Sequence, residues 1–168
     1  EAWRFAIAQR HRPVALVLSR QKLPVIDRQL ASATGRGAYV VADPEKGKPV
    51  AILMATGAEV HVALAAQRLL AAEGIAARVV SMPCWEAFGE QSAEYRASVL
   101  PPEIRTRVSV EAGVTFGWER WVGDGGCAVG LDRYGASAPG EVNLERLGFS
   151  AENVASRVRS LLGRSKGA

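Results

Sequence analysis

Two cysteines, two histidines and a 7% share of aromatics leave this 168-residue sequence short of the side chains from which many sites are built. Cys84 and Cys127 lie far apart without the paired C-x-x-C spacing of zinc ribbons and dithiol redox centres, so two reduced, partly buried thiols are expected. His11 stands in a basic loop and His61 on a polar helix flank, neither with a carboxylate or Cys at ligand spacing. Both read as surface residues, and no resident metal is expected. No apolar run approaches the roughly 18 residues a membrane-spanning helix needs, which excludes a membrane partner of that kind. The net charge of +4 comes from basic residues spread from Arg4 to Lys166 with no dense block. Binding a phosphate backbone needs such groups clustered on one face, so no nucleic acid partner is expected. The first residues, Glu1-Ala-Trp-Arg4, carry neither an initiator Met nor the basic-then-apolar layout of a signal peptide, so they read as a cut end. A soluble, cytoplasmic protein is the expectation.

What is present is ordinary globular composition, 48% hydrophobic and 23% charged. The length has room for one domain and a remnant of another. Residues 1 to 9 fit the last turns of a helix. Val14-Ala-Leu-Val-Leu18, opened by Pro13 and closed by Ser19-Arg20, reads as a parallel strand buried on both faces, which a lone helix and strand cannot cover. The stretch from Gln21 to Gly37, with Pro24 and Thr34-Gly-Arg-Gly37, lacks periodicity and reads as a linker. The expected division is 1–22 as the end of one domain, 23–36 as linker and 37–168 as a second domain.

Beyond the linker, strands and helices alternate, which predicts a sheet with helices on its faces. Strands are expected at Ala38–Ala42, Val50–Met54, Ala77–Ser81, Arg107–Glu111 and Cys127–Leu131. Between the second and third, Val60, Ala63, Leu64, Leu70 and Ala71 recur at helical spacing, giving a helix over Ala58–Glu73 with Gly74 as a left-handed cap. The Asp43-to-Pro49 turn makes the first two strands a candidate hairpin. A last helix is expected from the N-cap Ser150, with Phe149 stapled to Val154 and Val154, Val158, Leu161 and Leu162 as its buried stripe. Arg157, Arg159 and Arg164 face water, and Gly163 closes it.

Few residues in this frame invite chemistry. Thr56-Gly-Ala-Glu59 joins a strand to a helix, where backbone N–H groups can hold an anion, but Gly57 lacks the G-x-G-x-x-G company of a dinucleotide site. A tight turn capped by Thr56 is the plainer reading. Gly123-Asp-Gly-Gly126 precedes a strand and reads as a turn. Glu111, at the C-terminal end of a strand, has no evident second carboxylate for general acid–base work and reads as an anchor. Arg20 ends the buried strand, where its guanidinium suits either bidentate grip of a phosphate or pairing with a carboxylate across a domain edge. Of Trp85, Trp118, Trp121 and Phe116, at least one is expected in a patch that another domain or a second copy covers.

Ala15-Leu-Val-Leu-Ser-Arg-Gln-Lys-Leu-Pro24 resembles the A-L-x-L-S-R-Q-x-L segment that closes the pyrimidine-binding domain of the transketolase family. Val79-Val-Ser-Met-Pro83, Tyr95-Arg-Ala-Ser-Val-Leu-Pro101, Val110-Glu-Ala-Gly113 and Tyr134-Gly-Ala-Ser-Ala-Pro139 are similar to successive later landmarks of that family, in the same order. The resemblance implies a three-layer α/β/α sandwich on a five-stranded, mostly parallel sheet with one antiparallel strand. It also implies a homodimeric enzyme that moves a two-carbon ketol unit between sugar phosphates with thiamine diphosphate and a divalent metal such as Mg. Its cofactor and catalytic residues belong to segments preceding Glu1, so the chain alone is expected to be inactive, with no cofactor of its own. Arg20 matches the arginine that grips the sugar phosphate; no catalytic residue is implied. Lys22, where Asn is common, and Cys84-Trp85 are minor departures. Two other readings stand beside this one: a nucleotide- or partner-binding module using the Thr56–Glu59 turn, and part of a different thiamine enzyme, a dehydrogenase β-subunit or deoxyxylulose-phosphate synthase. Ser19-Arg20-Gln21 and Gly135-Ala-Ser-Ala-Pro139 argue against the latter pair.

Overall fold

In a computed structural model, which describes residues 1–19, 22–26 and 28–165, the centre of the molecule is a strand that no solvent reaches. Strand β2 (Ala51–Ala55) is fully buried along its whole length. Its alternation divides the core, because successive side chains of a strand leave opposite faces. Ala51, Leu53 and Ala55 enter one apolar cluster, whereas Ile52 and Met54 enter the other. Helices α2 (Glu59–Ala72) and α7 (Ala151–Ser165) cover the first face. Helices α3 (Trp85–Gly89), α4 (Ala93–Val99) and α5 (Glu119–Val122) feed the second through Phe88, Val99, Trp121 and Val122. A three-layer α/β/α sandwich results. Short helices α1 (Ala2–Ala8) and α6 (Gly140–Arg146) complete the set.

The remaining strands are β1 (Tyr39–Ala42), β3 (Ala77–Ser81), β4 (Arg107–Val110) and β5 (Cys127–Val129), and the sheet order is β1-β3-β2-β4-β5. Three pairings are parallel and β1 is antiparallel to β3. All five strands fall where the apolar runs place them, with ends shifted by a residue or two. The hairpin expected between the first two strands does not form. The connection from Asp43 to Val50 carries the chain past the place that β3 later fills, so β1 pairs with β3, Tyr39 opposite Ser81. Loop residues alone cannot distinguish these outcomes, since β3 arrives only after the α2 crossover.

Local signals hold at both long helices. The α2 helix ends with Gly74 at φ 75°, and the Ile75 N–H reaches back to the Leu70 carbonyl at 2.9 Å, closing the last turn. Ser150 Oγ accepts the Asn153 N–H at 3.2 Å as N-cap of α7; Phe149, Val154 and Val158 are buried, and Arg157, Arg159 and Arg164 are exposed. Gly163 does not stop this helix, which continues to Ser165. One glycine costs only about 1 kcal/mol relative to Ala in a helix, too little to end it.

The N-terminal part departs from expectation. No strand forms over Val14–Leu18; the segment is irregular, with Val17 94% and Leu18 74% exposed. A strand needs neighbours for its backbone groups, and no strand of this sheet lies alongside. Residues Arg28–Arg36, read as irregular linker, form a 3-10 helix that packs on β1.

Candidate functional site

Parallel α/β sheets place ligands outside the carboxyl ends of their strands, near the point where the strand order reverses. Here that point is the end of β2, flanked by β3 on one side and β4 on the other. Its floor is the Thr56-Gly57-Ala58 turn, with Gly57 at φ 56°, a conformation that favours glycine. Thr56 does not cap α2 through its side chain. The N-cap position is Ala58, and the turn closes through backbone bonds, Glu59 N–H to Thr56 O at 3.3 Å and Val60 N–H to Gly57 O at 3.4 Å. These bonds engage donors that a bound anion would use. Glu59 then puts a carboxylate in the first turn, where it complements the helix dipole and opposes a phosphate. Burial pushes the Glu59 carboxyl above its ordinary value, and the charge of nearby Glu111 adds to the shift. The turn is therefore poorly suited to a nucleotide.

Glu111 leaves the end of β4. Its Oε2 accepts the indole N–H of Trp118 at 2.8 Å, and Trp118 is almost wholly buried, standing edge-on to Trp85 with ring centroids 5.0 Å apart. The carboxylate thus anchors the loop between β4 and α5. Two more carboxylates hold that loop. Asp132 accepts both the N–H and the hydroxyl of Thr115 at 2.8 Å each, and Glu119 accepts the Gly117 N–H at 2.7 Å. The Thr115 bonds keep the Asp132 carboxyl below the ordinary carboxylate range. A loop fixed in this way presents Val114 and Phe116 outward, Phe116 at 81% exposure, with Tyr134 also exposed. Trp118 and Trp121 are core residues and Trp85 is half-buried, so of the four aromatics Phe116 alone stands well clear of the core.

Residues of the N-terminal segment lie across the same edge. Arg12 forms a two-pronged ion pair with Glu90, the residue after α3, at 2.5 and 2.9 Å. At the other end of the segment, Ser19 lies over the β2 turn, so that a Cβ at Gly57 would stand 3.7 Å from Ser19 Oγ. Arg20 itself lies outside the described residues. Sequence reasoning missed Arg12, Glu90 and Asp132, because contacts between residues 78 positions apart, as in the ion pair, or 17 apart, as between Thr115 and Asp132, leave no local pattern.

His11 is exposed and His61 half-buried. Both cysteines are free and half-buried, and burial raises the Cys127 thiol. Gly123 to Gly126 form a turn before β5. Among the described residues, no three His, Cys, Asp or Glu side chains come together as a metal site, and no helix is long and apolar enough to cross a membrane.

Comparison with known proteins adds a family. The family described as "Transketolase-like TK C-terminal domain" matches residues 37–150. A transketolase of Geobacillus stearothermophilus is 46% identical over 97% of this chain and 25% of its own length. One of Aquifex aeolicus is 49% identical over 94% and 23%. A crystal structure of a Pichia stipitis transketolase in complex with sedoheptulose-7-phosphate superposes with a TM-score of 0.89 at 36% identity, covering 99% of this chain and 24% of that one. The chain spans about a quarter of the length of the curated relatives it matches.

Proposed function

The chain belongs to the transketolase family, and on that footing we propose that it is the C-terminal part of an enzyme moving a two-carbon ketol unit from a ketose phosphate to an aldose phosphate. One observation carries the reading. Nearly the whole chain aligns with transketolases at close to half identity, yet with only a quarter of their length. The division into 1–22, the end of the pyrimidine-binding domain, 23–36, a linker, and 37–168, the C-terminal domain, is supported at its second boundary by the family match beginning at residue 37.

In this reading Arg20 grips the phosphate of the sugar substrate, since a guanidinium fork matches phosphate oxygens in two-pronged fashion. The sugar phosphate named for the Pichia stipitis structure supports that substrate class. Thiamine diphosphate and a divalent metal would supply the bond-breaking chemistry when bound to the whole enzyme. The described residues of this chain do not fit that group. They gather no metal ligands, and the first turn of α2 already carries a carboxylate. In this reading the chain on its own is inactive, because the reading places the cofactor and catalytic residues in other parts of the enzyme, and it serves domain packing and assembly of a cytoplasmic homodimer, with Val114, Phe116 and Tyr134 covered by other parts of the assembly.

Two measurements test this. The purified chain, supplied with the cofactor and both sugar phosphates, transfers nothing. Arg20→Ala in the full-length enzyme raises KM for phosphorylated sugars about 10- to 100-fold, the ~1.5 to 3 kcal/mol of a charge-assisted hydrogen bond. An unchanged KM refutes the assignment of Arg20.

A further inference from the structure

On the second face of the sheet a cleft of about 340 Å³ opens between α3, α4 and α5, and three arginines line it: Arg96, Arg107 and Arg120, beside the apolar side chains of Phe88, Leu100 and Trp121. No Asp or Glu lines it. We propose that this cleft is an anion site that takes a phosphate-sized oxyanion, free or carried on a small molecule.

The charges around the cleft do not balance. Among the described residues Arg4, Arg12, Arg78, Arg105 and Arg159 each have a carboxylate partner, whereas Arg96 and Arg120 have none. Arg107 is half-buried, with its nitrogens donating to backbone carbonyls that satisfy hydrogen bonds without neutralising the charge. Burial lowers its pKa, and the charge of Glu103, outside the cleft lining, acts against that shift. Like charges gathered in a partly dry cleft repel one another, and an anion among them turns repulsion into attraction.

The geometry leaves donors for such a ligand. Arg120 lies over the Trp121 ring at 4.8 Å, which occupies the face of its guanidinium and leaves the in-plane N–H groups to point elsewhere. Arg96 has one donor engaged, to the Gly89 carbonyl at 3.3 Å. Gly89 brings the two cations together, since it lacks the Cβ that would otherwise stand 3.3 Å from Arg120 Nη2. Two planar forks bordering one glycine suit the several oxygens of a phosphate. Trp121, only 6% exposed, adds an indole N–H that has no hydrogen-bond partner. An unpaired donor in the cleft wall is costly unless an acceptor reaches it.

The same indole gives the test a local readout. In proton–nitrogen correlation spectra of the chain, inorganic phosphate added at constant ionic strength moves the Trp121 indole resonance, identified by its loss in Trp121→Phe, along a saturating curve. Arg96→Met and Arg120→Met, which keep the apolar stems, each weaken binding about 10-fold, the scale of one charge-assisted hydrogen bond. Together they abolish saturation. Arg159→Met removes a charge of the same sign from α7, on the opposite face of the sheet, and stays within about twofold of the parent. Arg120 is exposed, so its variant keeps the test decisive even if Arg96→Met, which also loses the bond to Gly89, fails to fold. Glycerol phosphate in place of inorganic phosphate separates the sources: tighter binding assigns the site to a phosphorylated small molecule, and equal or weaker binding to free phosphate. A shift that grows without saturating, saturation undiminished by Arg120→Met, or an equal loss in Arg159→Met overturns the proposal.

Discussion

Removing the guanidinium of Arg107 should cost substantial stability although the residue lies outside the apolar core. At the first position of β4 it donates to four backbone carbonyls: Nε to Ile104 at 2.9 Å, one terminal nitrogen to Trp121 at 3.1 Å, and the other to Pro101 at 2.9 Å and Leu100 at 3.3 Å. It thereby ties the end of α4, the loop after it and α5 to the sheet. A hydrogen bond to a charged group is worth about 1.5 to 3 kcal/mol, but four such terms do not add. The side chain is half-buried, so water replaces part of what is lost. Burial also penalises the cation, as the lowering of its pKa indicates, and that penalty is recovered on removal. The two 2.9 Å bonds alone would give about 3 to 6 kcal/mol, which the water that replaces them and the recovered burial penalty bring down to about 2 to 4 kcal/mol for Arg107→Met, a change that keeps the apolar stem. Arg107→Lys should lose about half of that, because one ammonium at the end of a flexible stem cannot reach carbonyls arranged around a planar fork. Urea unfolding followed by tryptophan fluorescence measures both, and the larger loss corresponds to about 4 to 16 °C in Tm for a chain of this size. A methionine variant within about 0.5 kcal/mol of the parent, or a lysine variant as stable as the parent, would refute the reasoning.

Glu111→Ala strands the buried indole N–H of Trp118 and should destabilise by about 1 to 3 kcal/mol. Glu111→Gln, which keeps an acceptor, should cost clearly less; equal losses in thermal melting would contradict the anchoring role. Glu59 sets a pH dependence. Its carboxyl lies above the ordinary 4.5 in the folded chain, so the folded state binds more protons between that value and the raised one. Stability contributed by this group is greatest below that window and declines as pH rises through it. Glu59→Gln should remove the decline and gain up to about 1 kcal/mol at neutral pH. Denaturation curves at pH 4 to 8, run on both proteins, show whether the two lines diverge in that sense.

The core of the fold was legible because its signals are local. Five apolar runs, the helical spacing from Val60 to Leu70, the cap at Ser150 and the left-handed Gly74 each depend on neighbours within a few residues, and all appear in the structure. The family signature was legible for a different reason, since Ser19-Arg20-Gln21 and Tyr134-Gly-Ala-Ser-Ala-Pro139 are short ordered strings that need no geometry. Pairing was another matter. A loop of turn-forming residues between β1 and β2 is compatible with a hairpin, and only the later insertion of β3 makes β1 its antiparallel partner instead. The apolar run at Val14–Leu18 carries a strand signal as strong as that of β2, yet β2 has β3 and β4 to receive its backbone bonds and the earlier run has no neighbour in this sheet. The same holds for Glu111, whose place at a strand end was readable but whose partner, Trp118, was not, and for Arg12 and Glu90, which meet only once the segment crosses the sheet edge. Periodicity and capping are written in adjacent residues. Contacts between distant ones exist only after the layers have packed.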